Sequence, residues 1–201
     1  MMLKMQRKGG SVISSYYKNL METVLRHSEA ADWCSAVAEW RIEDVEEDET
    51  LTESCVCGKE SLRYLFTIRN TLNNNMLYPI GSSCIKKFGR PDLNDEVTIK
   101  EQLFKLLHAI EDNAFLTLSS EFFSRKLLLY LYRRGAFQPT SYNDFNPVED
   151  YRFMLDMFNK GQRRSEKQDK KATAIILNSI KPYLRSELMN KRKHQQVGWK
   201  W

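Results

Sequence analysis

Long apolar runs are missing from this chain: none approaches the ~20 residues needed to span a bilayer. The basic start, Met1 to Gly10, lacks the apolar stretch of a signal peptide. A cytoplasmic protein is therefore expected. Histidine is scarce, with three copies in 201 residues, and the three are scattered, so no Ser–His–Asp constellation suggests itself. Gly9-Gly10 has nothing after it to form a phosphate cradle. The acidic stretch Glu43 to Glu53 lacks the glycine and the spacing of a calcium loop. No internal repeat is present. Together these absences leave an enzymatic role with little to stand on.

What is there suffices for a packed core: 42% of residues are hydrophobic and 11% aromatic, which excludes wholesale disorder. The net charge of +5 is unevenly spread. Glu43, Asp44, Glu46, Glu47, Asp48, Glu49 and Glu53 face no base, whereas Lys160, Arg163, Arg164, Lys167, Lys170, Lys171 and then Lys191, Arg192 and Lys193 load the carboxy-terminal third. Such asymmetry marks a surface for a polyanion or a set of solvated helix faces. Tyr130, Tyr132, Phe153 and Phe158 lie at helical spacing and are expected in the core rather than on a base-stacking platform. Trp199 and Trp201 end a basic tail.

Periodicity predicts a helix from Val12 to about His27 and a shorter one over Asp32 to Glu39 that holds Cys34. Trp40 to Glu43 alternates and is expected as a strand before an acidic loop. Leu62, Tyr64, Phe66 and Ile68 alternate with polar neighbours, Thr71 to Asn75 supplies turn residues, and Met76 to Ile80 returns, giving a β-hairpin. Pro79 places the second strand at a free edge. Beyond Arg90 the pattern is helical. Thr98 and Glu101 have capping-box spacing before a leucine stripe. A helix over Ser120 to Arg134, apolar almost all round, ends at Gly135. Asn146-Pro147-Val148-Glu149 offers an N-cap, a proline at the first helical position and a reaching carboxylate. A last helix is expected over Ser165 to Ser179, broken or bent by Lys181-Pro182. The fold class is α+β: a β-hairpin element over 1–95 and a helical segment over 96–201, with a soft boundary and scope for one shared core.

All four cysteines fall in the first half, and three form one compact pattern: Cys55-Val56-Cys57-Gly58, then Ile80-Gly81-Ser82-Ser83-Cys84. In a reducing compartment clustered thiols hold metal more often than they form disulfides. Zinc favours a tetrahedron of soft thiolates. Gly58 lets the backbone fold over an ion, and Cys84 opens a helix whose dipole favours the thiolate. Knuckle, hairpin and helix start in this order resemble a treble-clef or ribbon-like zinc finger. The predicted metal ligands are Cys34, Cys55, Cys57 and Cys84, holding structural Zn2+. The fourth is the open question: Lys87 stands one helical turn after Cys84 and cannot serve, His27 competes with Cys34, and a carboxylate or water would leave a weaker site. The bland alternative is four buried free cysteines.

Ala38-Glu39-Trp40, the acidic spacer, Cys55-Val56-Cys57-Gly58-Lys59, Ile68-Arg69-Asn70, Asn75 and Ile80-Gly81-Ser82-Ser83-Cys84-Ile85-Lys86-Lys87-Phe88 resemble a family of small proteins from phages, plasmids and other mobile elements of low-GC Gram-positive bacteria. Gly135-Ala136-Phe137, Tyr151 to Lys160 and Ile180-Lys181-Pro182 extend the resemblance over most of the chain. Many relatives carry a histidine two residues after the second cysteine; this chain has Lys59 there. The resemblance implies a mobile-element protein, and some zinc-bearing proteins of such elements are anti-CRISPR inhibitors of the type II RNA-guided DNA nuclease. It therefore implies a CRISPR effector nuclease, or another host defence protein, as partner, with Glu46, Glu47 and Asp48 available to a nucleic-acid groove. The alternative is a zinc-containing nucleic-acid-binding protein in which Lys160 to Lys171 and Lys191 to Lys193, with Arg63 and Arg69, contact phosphates.

Overall fold

A computed structural model describes residues 14–187; the readings above for Met1 to Gly10, Val12, Lys191, Arg192, Lys193, Trp199 and Trp201 lie outside the described residues. The fold is α+β, and the chain divides into two compact units, Met1–Val97 and Thr98–Trp201.

In the first unit, α1 covers Ser15–Arg26 and is capped by Ser14, whose hydroxyl accepts from the Tyr17 N–H at 3.3 Å; Leu20 and Val24 are its buried residues. The six-residue helix α2, Trp33–Ala38, is capped by Asp32. Three antiparallel strands follow in the order β1 (Trp40–Glu47), β2 (Tyr64–Asn70), β3 (Met76–Ile80), so β1 and β3 are both edges. The predicted hairpin is β2–β3. The first strand is longer than its alternation implied, because the register shifts between Ile42 and Asp44. This irregularity interrupts the period of two and brings Val45 to a buried position, while Glu43, Asp44 and Glu46 stay exposed. Carboxylates are poor strand formers, but an edge strand with one face in water tolerates them.

Trp40, Phe66, Ile68, Ile80 and Ile85 fill the core of this unit at 1% exposure or less. A buried tryptophan removes roughly 200 Å² from water, on the order of 5 kcal/mol at about 25 cal/mol per Å². Its indole N–H is satisfied by Ser28 Oγ at 2.9 Å.

A polar clamp ties α1 and α2 to the sheet. Glu39, which is buried, accepts from the backbone N–H groups of Glu29 (2.9 Å) and Ala30 (2.7 Å) and from the amide of the fully buried Asn70. Burial alone would raise the Glu39 carboxyl, but these donors outweigh it and hold the group below the usual carboxylate range. Three side-chain amides, from Asn70, Asn73 and Asn75, converge on the His27 carbonyl at the end of α1, at 3.1–3.3 Å. Arg90 closes the other end of α2 by donating to the carbonyls of Val37 (3.1 Å) and Ala38 (3.3 Å) and to that of Trp40. The turn residues after β2 thus do more than reverse the chain.

Helix α3, Ser82–Lys86, follows β3 directly, and α4 runs from Pro91 to Glu111, beginning in the first unit and continuing in the second. Pro91 opens α4, so Thr98 lies inside a helix rather than at its cap; proline at the first position is the stronger start signal. In the second unit α5 covers Arg125–Arg133, shorter than expected. Ser124 is its N-cap, accepting from Leu127 N–H at 3.1 Å. The apolar residues before it, including Leu118 and Phe123, are buried without being helical.

Helix α6, Pro147–Lys160, starts at the predicted proline, but Asn146 makes no side-chain cap and Glu149 pairs with Arg152 at 3.2 Å. The buried Asp150 instead accepts from the amide of Asn143 at 2.7 Å. Helix α7, Glu166–Ile175, carries a capping box between Ser165 and Gln168. It passes through a π-helical turn, Ile176–Ile180, and helix continues over residues 181–187. The wider turn, in which the Lys181 N–H reaches the Ile176 carbonyl, accommodates Pro182 without breaking the helix. Leu106, Leu127, Leu128, Leu131, Met154 and Ile176 make up the centre of this unit's core, and Tyr130, Tyr132, Phe153 and Phe158 pack against it as expected of core aromatics. Tyr132 stacks on Tyr151 with ring centroids 4.7 Å apart.

Candidate metal centre

The cysteine knuckle is built by a tight turn. The Cys55 N–H donates to the Lys59 carbonyl at 2.8 Å and the Gly58 N–H to the Cys55 carbonyl at 2.7 Å. Gly58 has φ +89°, left-handed backbone that a side chain would strain. The knuckle is tied to the edge strand by Val56 N–H donating to the Pro79 carbonyl (2.9 Å), and to α1 by the Asn19 amide donating to the Cys57 carbonyl (3.1 Å). Three residues beyond Pro79, at Ser82, the chain enters α3, which carries Cys84.

The three sulfurs meet. Cys84 Sγ lies 3.7 Å from Cys55 Sγ and 3.4 Å from Cys57 Sγ, all three are within 4.8 Å of one another, and the residues keep only 4%, 1% and 2% exposure for Cys55, Cys57 and Cys84. Among the described residues this is the one grouping of metal-ligand side chains. An ion at about 2.3 Å from each sulfur sets tetrahedral sulfurs about 3.8 Å apart, so the spacing fits one ion. Three close cysteines can hold a metal ion.

The Gly81 N–H also donates to Cys55 Sγ, at 3.3 Å. The hydrogen bond with Cys84, and then the backbone N–H groups of Cys57 and Gly81, hold the Cys55 thiol down to about 5 against its burial, whereas the same contact pushes Cys84 up.

Gly81 is needed for closeness rather than for φ. A Cβ there would sit 2.9 Å from Leu62 Cδ2. Gly81→Ala should therefore push Leu62 away, cost about 1–2 kcal/mol and weaken metal retention. Thermal unfolding of the metal-loaded variant measures it; an unchanged melting temperature would show that Leu62 yields freely.

Cys34 does not join the cluster. It is exposed in the first turn of α2, outside the group of sulfurs, because the clamp fixes α2 by Glu39 and Arg90 with that side chain toward solvent. His27 also lies outside the group of sulfurs, and its Nδ1 is 2.8 Å from the Thr23 carbonyl of its own helix. Lys87 has its ammonium over the Tyr17 ring, 5.5 Å from the centroid.

Much of the predicted contact set is engaged within the protein. Lys160 donates to Gln168 at 2.9 Å, Arg164 pairs with Asp169 at 2.6 Å, Lys170 pairs with Glu166, and Lys171 lies over Phe153 at 4.5 Å. Arg163 and Lys167 are exposed. Arg164 and Lys170 also line a groove with Phe115, Leu118 and Leu177. Of the acidic three, Glu47 lies 3.9 Å from Arg63 and Glu46 is exposed on β1. Asp48 organises its own loop, accepting from the N–H groups of Thr50 (2.9 Å), Thr52 (2.8 Å) and Glu53 (3.1 Å). The Thr50 hydroxyl, which also donates to Asp48, leads these donors in holding that carboxyl well below the usual range. This loop delivers the chain to Cys55, so Asp48 supports the knuckle's approach.

The sequence reading missed the clamp of Glu39, Asn70, Asn73 and Asn75; the run of asparagines between two apolar strands was its only signal. No helix of the described residues is long and apolar enough to cross a membrane. The chain matches no family model, no curated protein and no solved structure. The mobile-element resemblance therefore rests on the motif residues alone.

Proposed function

We propose that this is a zinc-clamped docking protein of a phage or mobile element. It acts in the bacterial cytoplasm as a stoichiometric inhibitor of a type II RNA-guided DNA nuclease, or of another host defence protein, by blocking DNA loading. The observation that carries the reading is the burial of all three thiols under the knuckle. An ion held there shapes a surface and meets no substrate, so the protein works by contact, for which roughly 1,200–2,000 Å² of total interface suffices.

The surface that favours a basic partner is the outer face of the sheet. Met76 is 54% and Tyr78 46% exposed on β3. Burial first, then the carboxylates of Glu46, Glu53 and Asp48, push the Tyr78 phenol up, which places Tyr78 in an acidic field. An aromatic anchor ringed by carboxylates suits a groove built for nucleic acid.

The nucleic-acid-binding alternative is weakened by the internal pairing of Lys160, Arg164 and Lys170, and by Arg69, which is taken by Glu43 at 2.8 Å. A panel of bacterial nuclease effectors in pull-down and cleavage assays tests the proposal. Inhibition should saturate near one protein per effector, survive excess unrelated DNA, and weaken at least about tenfold in Tyr78→Ala with Glu46→Lys, or about 1.4 kcal/mol. Binding to DNA alone, with a linear fall of log affinity against log salt, would instead favour the alternative.

A further inference from the structure

Resting on the metal reading above, we propose that Cys55, Cys57 and Cys84 form a three-thiolate centre whose fourth coordination position belongs to water and not to a side chain of this protein. Among the described residues, the donors that a zinc finger would use in this pattern lie outside the three-sulfur group. The position one turn after Cys84 is Lys87, and its ammonium rests over Tyr17. Cys34 is exposed on α2 and His27 is turned to Thr23. Asn19, the α1 side chain bonded to the knuckle, spends its amide on the Cys57 carbonyl. Among the described residues no carboxylate or imidazole joins the three sulfurs.

Charge points the same way. Three thiolates and a divalent ion sum to −1, and a neutral fourth donor adds no further charge to a site this buried. Gly58 and Lys59, which follow the buried Cys57, are exposed, so the knuckle itself borders solvent. Such a water-completed site still clamps the fold through its three thiolates, and differs from a four-ligand structural site only in the donor at that one position.

The test uses the full chain loaded with zinc or cobalt. X-ray absorption should give three sulfur scatterers and one oxygen or nitrogen scatterer. That shell should be identical in Cys34→Ser, His27→Gln, His108→Ala and His194→Ala. The cobalt form should show broadening of its magnetic resonance in water enriched in a magnetic oxygen isotope. A four-sulfur shell, a shell that changes in any of these variants, or an absence of broadening would overturn the proposal. A protein that binds one ion through four of its own side chains sinks this inference alone, whereas a protein that binds no ion sinks the metal reading as well.

Discussion

Replacing Cys57 with serine should release the metal and destabilise the first unit. A hydroxyl is a poor ligand beside thiolate, and with only three protein donors each carries a larger share of the affinity than in a four-cysteine site. Metal affinity should fall at least about a hundredfold, or about 3 kcal/mol at 1.4 kcal/mol per tenfold. Because metal-binding energy is folding energy in small sites of this kind, the loss should appear as a lower melting temperature and not only as lower metal content. The knuckle joins the edge strand through Val56 and α1 through Asn19, so its collapse removes contacts at both places. Competition with a chromophoric chelator measures the affinity, and calorimetry the stability. A variant that keeps both would mean the sulfurs meet without an ion. The second unit, with its own core, should keep its transition.

Glu39→Ala should be nearly as damaging for a different reason. It strips the acceptor from two backbone N–H groups and from the fully buried Asn70, and an unsatisfied buried donor costs about 1–3 kcal/mol. A total of about 3–4 kcal/mol is expected, since the exposed turn lets water recover part of the loss. Glu39→Gln keeps one acceptor oxygen and should cost less than half as much. The charge also gives the clamp a pH signature. The folded carboxyl titrates below its ordinary value of 4.5, so its contribution is present above that value and is lost as pH falls through the folded one. Wild type should therefore lose stability below about pH 4.5 more steeply than Glu39→Gln. Urea unfolding at several acidic pH values checks this; parallel curves for the two proteins would remove the carboxylate from the account.

How much of this was legible in the sequence depended on whether a residue's neighbours were local. Cys55, Cys57 and Cys84 could be read because two lie on one turn and the third follows a strand pair that brings it back. The β2–β3 hairpin was legible from its period of two and its asparagine turn. Cys34 was added as the one remaining thiol, and the packing of α2, which no local pattern reveals, leaves it exposed and outside the three-sulfur group. The full length of β1 was hidden by its carboxylates and by the irregularity after Ile42. The start of α5 was hidden because Leu118 and Phe123 are buried in turns, which carry no periodicity. Glu39 and Asn70 were quoted as motif residues without a role. Their partnership spans 31 positions and joins two buried polar groups, a match that only three-dimensional packing reveals.

The most direct measurement is elemental analysis of the native protein together with X-ray absorption at the metal edge. The account predicts one zinc per chain with three sulfur neighbours, and none in Cys84→Ser. Native protein free of metal, with freely titrating thiols and an unchanged melting temperature after chelation, would contradict it.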